Sequence, residues 1–463
     1  MPEPNDRKGT PEGWRNWAGD QRCTPARRVA PGTTAELAET VAAASGQGLT
    51  VRVAGAGHSF SDIALTDGVM IGMGRMNRVL EADRPSGLVK VQAGITIREL
   101  GAELDTWGLA MENLGDIDIQ TIAGAISTAT HGTGARLRNI SSQVAELTLV
   151  LADGSTLVCS EECEPDVFRA ARVGLGSLGA IAEVTLRCVP AFTLRGVDAP
   201  APLGDVLAGF EERALGNDHF EFFVFPHADV ALTRTNNRTD ESARPRHRAV
   251  AYANDVLLTN HAFGALCRAG RRFPSRIPQL NRLVTKLAGS STRVERSASV
   301  FASPRLVRFT EMEYALPRAR TPEAVAAVME LIPREGFRVP FPIEVRTVAA
   351  DDAMLSTAAG RDSGFVAVHM YRGMEWEPYF RAVEAVMDRF EGRPHWGKRH
   401  FQTAATLRGR YPEWDAFQRL RARLDPHGTF TNEWTERVLG PARPFASASG
   451  PAAGAPGAPS VAR

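Results

Sequence analysis

Apolar residues change their period along the chain, and each change marks an element. Leu37, Val41 and Ala44 recur at helical spacing. Thr33 or Thr34 can cap that helix, and Glu36 falls in its first turn. Residues 97–107 carry a second helical stripe, with Thr96 as the cap and Gly108 as the stop. Short β-rich runs lie between and after them, at 51–54, 71–73, 88–92, 144–151 and 181–189. Strand and helix therefore alternate to about residue 192. Beyond 196 the pattern predicts strands at 220–225, 309–314, 341–348 and 365–371. It predicts helices at 322–332, 377–390 and 413–424, a polar loop at 234–248 and a helical or mixed stretch at 262–292. Residues 1–15 and the Ala/Pro/Ser/Gly-rich tail 441–463 are expected to be disordered. The whole reads as α+β, with a first domain at 16–195, a second at 196–392 and a return to the first at 393–440.

Composition narrows the classes. The chain has 463 residues and a formal net charge of +1, and no basic stripe stands out at first reading, so nucleic acid is not an expected partner. Its start, Met-Pro-Glu-Pro-Asn-Asp, is polar and unlike a signal peptide. No apolar run is long enough to span a bilayer. A cytoplasmic protein is expected, with peripheral contact to a membrane left open. Cys23, Cys159, Cys163, Cys188 and Cys267 are scattered, and Cys159-x3-Cys163 has no second pair, so no metal site is expected. Lysine occurs only at 8, 90, 286 and 398, which singles out Lys398 beside aromatic residues.

Candidate chemistry begins where residues 51–54 run into Gly55-Ala56-Gly57-His58-Ser59. Glycines in such a turn let successive N–H groups gather around an anion. A Rossmann fingerprint does not fit, because Phe60 stands where a third small residue belongs. A plain β-turn with a surface histidine is the competing reading. Residues 112–134 are rich in Gly, Ala, Ser and Thr, with Thr121, Gly124, Ser127 and Thr128 closely spaced. Residues 174–186 repeat the pattern and end in a strand containing Ile181. A large planar ligand can lie along backbones so free of side chains. Glu344 and Arg346 alternate on a strand and share a face. An acid and a guanidinium there suit a vicinal diol and a developing alkoxide, although a structural ion pair has the same signature.

Several of these motifs occur together in one order: Gly-His-Ser at 57–59, Asn-Leu-Gly at 113–115, Thr-His-Gly-Thr-Gly at 130–134, Glu-x-Arg at 344–346 and His-Trp-Gly-Lys at 395–398. With the runs at 218–225 and 309–314, they make the chain resemble the aldonolactone oxidoreductases of the vanillyl-alcohol oxidase class. That family includes L-gulono-1,4-lactone dehydrogenases and D-arabinono-1,4-lactone oxidases, and alditol oxidases are near relatives. The resemblance spans roughly residues 16–440. It implies a two-subdomain FAD-binding domain with a mixed α/β cap over the flavin. Ala54, Gly55, Ala56, Gly57, Ser59, Thr121, Gly124, Thr128, Gly132 and Ile181 would cradle the FAD. His58 would be joined through Nδ1 to the flavin 8α-methyl, and His131 would order the loop beside the pyrophosphate. Gly115 would leave room for oxygen. Asp116, where several relatives carry serine or alanine, would bond lactone hydroxyls and disfavour a linear polyol. Glu344, Arg346 and Lys398 would be catalytic, with His369 and Tyr371 against the substrate. The implied reaction is oxidation of the C2 hydroxyl of L-gulono- or D-arabinono-1,4-lactone by hydride transfer to flavin N5, with oxygen, a quinone or a cytochrome as acceptor. An alditol or aldose oxidase, and a flavin-binding protein without turnover, are the alternatives.

Overall fold

The computed structural model describes residues 13–244, 260–302 and 305–442. Its first layer is a small parallel sheet in which Val69–Gly72 lies between Arg27–Val29 and Val51–Ala54. The helix Thr34–Gly46 buries Leu37, Val41 and Ala44, and Thr33 caps it by accepting from the Glu36 N–H. A five-stranded antiparallel sheet follows in the order Thr156–Ser160, Val144–Val150, Ala180–Arg187, Leu88–Gln92, Val79–Asp83. The helix Ile97–Thr106 opens on a full capping box between Thr96 and Glu99, and the chain leaves it through Gly108 at φ +67°. Both sheets share one apolar core.

The second half is built on an eight-stranded sheet. Its central strands are His219–Val224, Ile343–Val348, Ser363–Tyr371 and Phe309–Pro317, all antiparallel to their neighbours. Alternation gives this sheet two unlike faces. Phe220, Phe222, Val345, Val366, Val368, Met312 and Tyr314 point one way, into an apolar core shared with the helices Thr321–Arg334 and Glu377–Asp388. Register places Glu311 opposite His369, and Glu313 and Glu344 opposite Ala367, so the charged residues share the other face. The chain then crosses back. Phe60 N–H donates to the Gly397 carbonyl at 2.7 Å and Val51 N–H to that of Thr429 at 2.7 Å. Trp396, Trp414, Phe417 and Trp434 complete the first core.

Two expectations are corrected. The stretch expected as a polar loop from 234 is, to residue 239, part of the strand Val230–Thr239; residues 245–248 lie outside the described residues. Its polarity misled because Arg234 points at carboxylates, Asp198 at 2.6 Å and Glu221 at 3.3 Å, and not at solvent. Trp14–Arg15, expected to be disordered, pair with Arg22–Cys23, and the Trp14 ring packs beside Gly57. Residues 1–12 and 443–463 lie outside the described residues.

Candidate active site

The glycine turn after Val51–Ala54 is forced by contact. A Cβ on Gly55 would lie 2.3 Å from Thr121 Oγ1, and Gly57 has φ +70°. A cleft of about 920 Å³, counted to its open mouth, runs along this turn. Ala54, Gly55, Ala56, Gly57, His58 and Ser59 line it from the first loop, Thr121, Gly124 and Thr128 from the second, and Ile181 from the third. His58 shows what the cleft lacks. Its Nδ1 is buried without a hydrogen-bond partner, which ordinarily costs about 1–3 kcal/mol. The ring stacks on Trp17 at 5.1 Å. Burial, then Lys398 and Arg308, lower its pKa to about 4, so the imidazole is neutral at pH 7. A long groove of small residues ending at an orphaned imidazole nitrogen fits a flavin dinucleotide.

Gly115, Asp116, Gly132 and His131 do not line that cleft. Gly115, Asp116 and Gly132 line a smaller cavity of about 300 Å³, together with Glu221, Arg234 and Arg346. A Cβ on Gly132 would lie 2.2 Å from the Leu114 carbonyl, so the loops at 113–116 and 130–133 meet backbone to backbone. A Cβ on Gly115 would lie 3.1 Å from the His131 carbonyl, which would have to give way.

Arg346 is the hub of the charged face. It contacts Glu344 directly, reaches Glu221 at 3.2 Å and lies 3.4 Å from Asp116. Asp116 also accepts from Arg305. Burial works against ionisation of Asp116, but Arg346 and Arg305 outweigh it and hold the carboxyl well below its usual range. Burial pushes Glu344 the other way, to about 8, against Arg346 and with help from Asp116 and Glu221. Two neighbouring carboxyls are thus driven apart, Asp116 toward its ionised form and Glu344 toward its protonated one. Lys398 donates to Glu311, and its Nζ lies 5.2 Å from the Phe60 ring. Burial would strip its proton, but Glu311 and Glu313 raise its pKa. His369 lies 3.6 Å from Glu311 through Nε2 and hydrogen-bonds the Pro342 carbonyl at 3.1 Å through Nδ1. Tyr371 stands apart, its ring stacked on Phe341 and covered by Arg271.

His131 belongs to a buried trio with Glu313 and His395. Its Nδ1 meets the Gly132 carbonyl at 2.8 Å, so that nitrogen carries a proton, and its Nε2 lies 3.3 Å from Glu313. His395 Nδ1 accepts from the Gly397 N–H at 3.1 Å, so the proton of the neutral ring sits on Nε2. That tautomer leaves His395 no lone pair to offer a metal within the trio.

Glu311, Glu313, Glu221, Arg234 and Arg305 were not singled out as site residues in the sequence. For Glu311 and Glu313 a signal existed. Two acids alternating in an apolar strand share a face, by the argument that paired Glu344 with Arg346. Arg305 lies outside any regular element, and periodicity cannot find it.

The D-arabinono-1,4-lactone oxidase family profile matches residues 184–438, more than half of the chain. The chain belongs to this family. An FAD-binding-domain profile matches residues 25–160, which span the first two small-residue loops. The chain is 52% identical over 428 residues to an L-gulono-1,4-lactone dehydrogenase of Mycobacterium tuberculosis, covering 92% of this chain and 99% of the relative. It is 36% identical to the L-gulonolactone oxidase of Mus musculus, covering 92% and 98%. A cholesterol oxidase from B. sterolicum superposes with a TM-score of 0.80 at 18% identity, covering 95% of this chain and 99% of that one, and shows the shared fold. Family membership thus agrees with the FAD-binding, α+β architecture expected from the motifs.

Proposed function

We propose that this protein is an FAD-dependent oxidoreductase that oxidises the C2 hydroxyl of a sugar-derived 1,4-lactone, L-gulono-1,4-lactone or a close analogue such as D-arabinono-1,4-lactone. The observation that carries the reading is the convergence of Arg346, Lys398, Glu344 and Asp116 near His58. Phe60 N–H donates to the Gly397 carbonyl and Lys398 Nζ lies 5.2 Å from the Phe60 ring, so Lys398 brings the charged face against the loop that carries His58. Ala54 to Ser59, with Thr121, Gly124, Thr128 and Ile181, would hold the cofactor, and His58 Nδ1 is its point of covalent attachment. Bound FAD supplies the two-electron acceptor for the hydride that leaves C2.

The side chains supply the rest. Arg346 and Lys398 are both held cationic by carboxylates. They stabilise the charge that grows on the substrate oxygen as the C–H bond breaks, an interaction stronger in the transition state than in the ground state. Glu344, pushed toward its protonated form, orients hydroxyls by donating to one of them. Asp116, held ionised by Arg346 and Arg305, accepts a hydrogen bond from another, and the hydroxyl proton passes to solvent. His369 bounds the pocket on the Glu311 side. Oxygen, a quinone or a cytochrome closes the cycle.

The test is anaerobic bleaching of the visible flavin absorbance by L-gulono-1,4-lactone or by xylitol. Rapid bleaching by the lactone alone is expected. Bleaching by xylitol alone would move the activity to open-chain polyols and overturn the lactone reading, as would bleaching by neither. Yellow colour that stays with acid-precipitated protein, and is lost from it in His58→Ala, is expected for the covalent bond.

A further inference from the structure

The near-neutral chain hides one strongly basic element. From Asn260 to Val294 there is no acidic residue, while Arg268, Arg271, Arg272, Arg276, Arg282 and Lys286 crowd the helices Phe263–Arg272 and Ile277–Leu287 and the turn between them. Arg271 is engaged with Tyr371 and the Arg372 carbonyl. The other five pair with no carboxylate among the described residues.

The apolar positions of this hairpin are equally out of place. Cys267, Gly270, Ile277, Asn281 and Thr285 face inward. The opposite stripe of the second helix, Gln279, Arg282, Leu283, Lys286 and Leu287, faces solvent. A helix on a globular surface usually shows water a polar stripe, yet Leu283 is 47% exposed and Leu287 75%. At the tip, residues 271–276 (Arg-Arg-Phe-Pro-Ser-Arg) are all exposed, and Phe273 is 55% exposed. Leu306, 53% exposed, adjoins the base of the hairpin, where its N–H donates to Asn260 Oδ1.

We propose that this hairpin docks the protein on an anionic lipid bilayer, with Phe273, Leu283 and Leu287 in the headgroup–acyl boundary and the arginines on lipid phosphates. Mixed basic and apolar residues on one outward stripe are what an interfacial helix needs. A second copy of the chain fits poorly, because a twofold contact would set cations against cations with no acid on the patch to relieve them. Nucleic acid would gain nothing from exposed leucines. The inward face continues toward the site. Phe263 packs on Phe341, Phe341 on Phe309, and Phe309 on Trp17, which stacks on His58. A docked hairpin would therefore turn the aromatic side of the site toward the membrane. This proposal does not depend on the lactone reading.

The test is flotation of the full-length flavoprotein with vesicles of phosphatidylcholine alone and of phosphatidylcholine with about one-third phosphatidylglycerol. Binding is expected only to the anionic vesicles, and 0.5 M salt should weaken it. Each basic residue near such a surface contributes roughly fivefold in partition, so Arg272→Glu/Arg276→Glu should reduce binding by well over tenfold. Phe273→Ser/Leu287→Ser should also reduce it, while flavin absorbance and turnover in solution stay unchanged in both variants. No binding to anionic vesicles, or binding that both variants retain, overturns the proposal. So does a concentration-dependent dimer that the variants abolish, which would make the occupant a second copy.

Discussion

Arg346 touches or approaches three carboxyl groups, and the site's chemistry depends on how they share its charge. Asp116 and Glu221 have further guanidinium partners in Arg305 and Arg234, whereas among the described residues Glu344 pairs with Arg346 alone. Burial is the main reason Glu344 is pushed to about 8, and its single partner opposes that push less than two would. Replacing Glu344 with Leu keeps a neutral side chain of similar size but removes both the hydroxyl donor and the carboxyl that orients Arg346. Flavin reduction by substrate should slow by roughly 10²-fold or more, with the resting flavin spectrum preserved. Stopped-flow reduction at wild-type rate in Glu344→Leu would remove Glu344 from the mechanism. Sequence alone exposed this pair because strand alternation puts i and i+2 on one face. It could not show that Asp116, 228 positions upstream of Glu344 in the chain, completes the set from a loop.

The strand Phe309–Pro317 carries more of the site than its sequence advertises. Glu311 holds Lys398 and faces His369; Glu313 holds His131 and faces His395. Main-chain bonds join the same strand to the loop at 395–399, from His395 N–H to the Glu313 carbonyl and from Arg399 N–H to that of Glu311, both at 2.9 Å. Elements of clean period were legible in the sequence: the helix behind Thr33, the helix capped by Thr96, and the strands through Val345 and Val366. The strand Val230–Thr239 was not, because its polar residues satisfy buried charges and so mimic a solvated loop. Glu311 gives the element-scale prediction. Without that carboxylate, burial is less opposed and the pKa of Lys398 falls. If protonated Lys398 carries the reaction, the alkaline limb of the kcat/KM profile in Glu311→Gln must move to lower pH, and kcat must drop. An unmoved limb would mean that Glu311 only fills space.

For the whole molecule, two halves close on each other around buried rings and charges, which makes stability respond to acid. His219, His227, His369, His395 and His400 are all shifted down, in each case chiefly by burial; His395 falls to about 3. In the unfolded chain these rings take up protons below about pH 6.5. In the fold they take up protons only at lower pH. The unfolded state therefore binds more protons across that window, and stability falls as pH drops through it. Glu344 and Asp351, raised to about 8 and about 6, act in the opposite sense, as do Glu384 and Asp425. Between pH 6.5 and 5 the histidines outnumber them, so the thermal midpoint should be lower at pH 5 than at pH 7, by ~5 °C or more. His400 makes the cause assignable. Both its ring nitrogens are buried without partners among the described residues, between Trp396 and Trp434. A ring that cannot be charged there at mild pH contributes acid sensitivity and no hydrogen bond. His400→Leu should therefore narrow the difference between the two midpoints. A wild-type midpoint at pH 5 equal to or above that at pH 7 would mean that the buried carboxyls, not the histidines, govern the acid response.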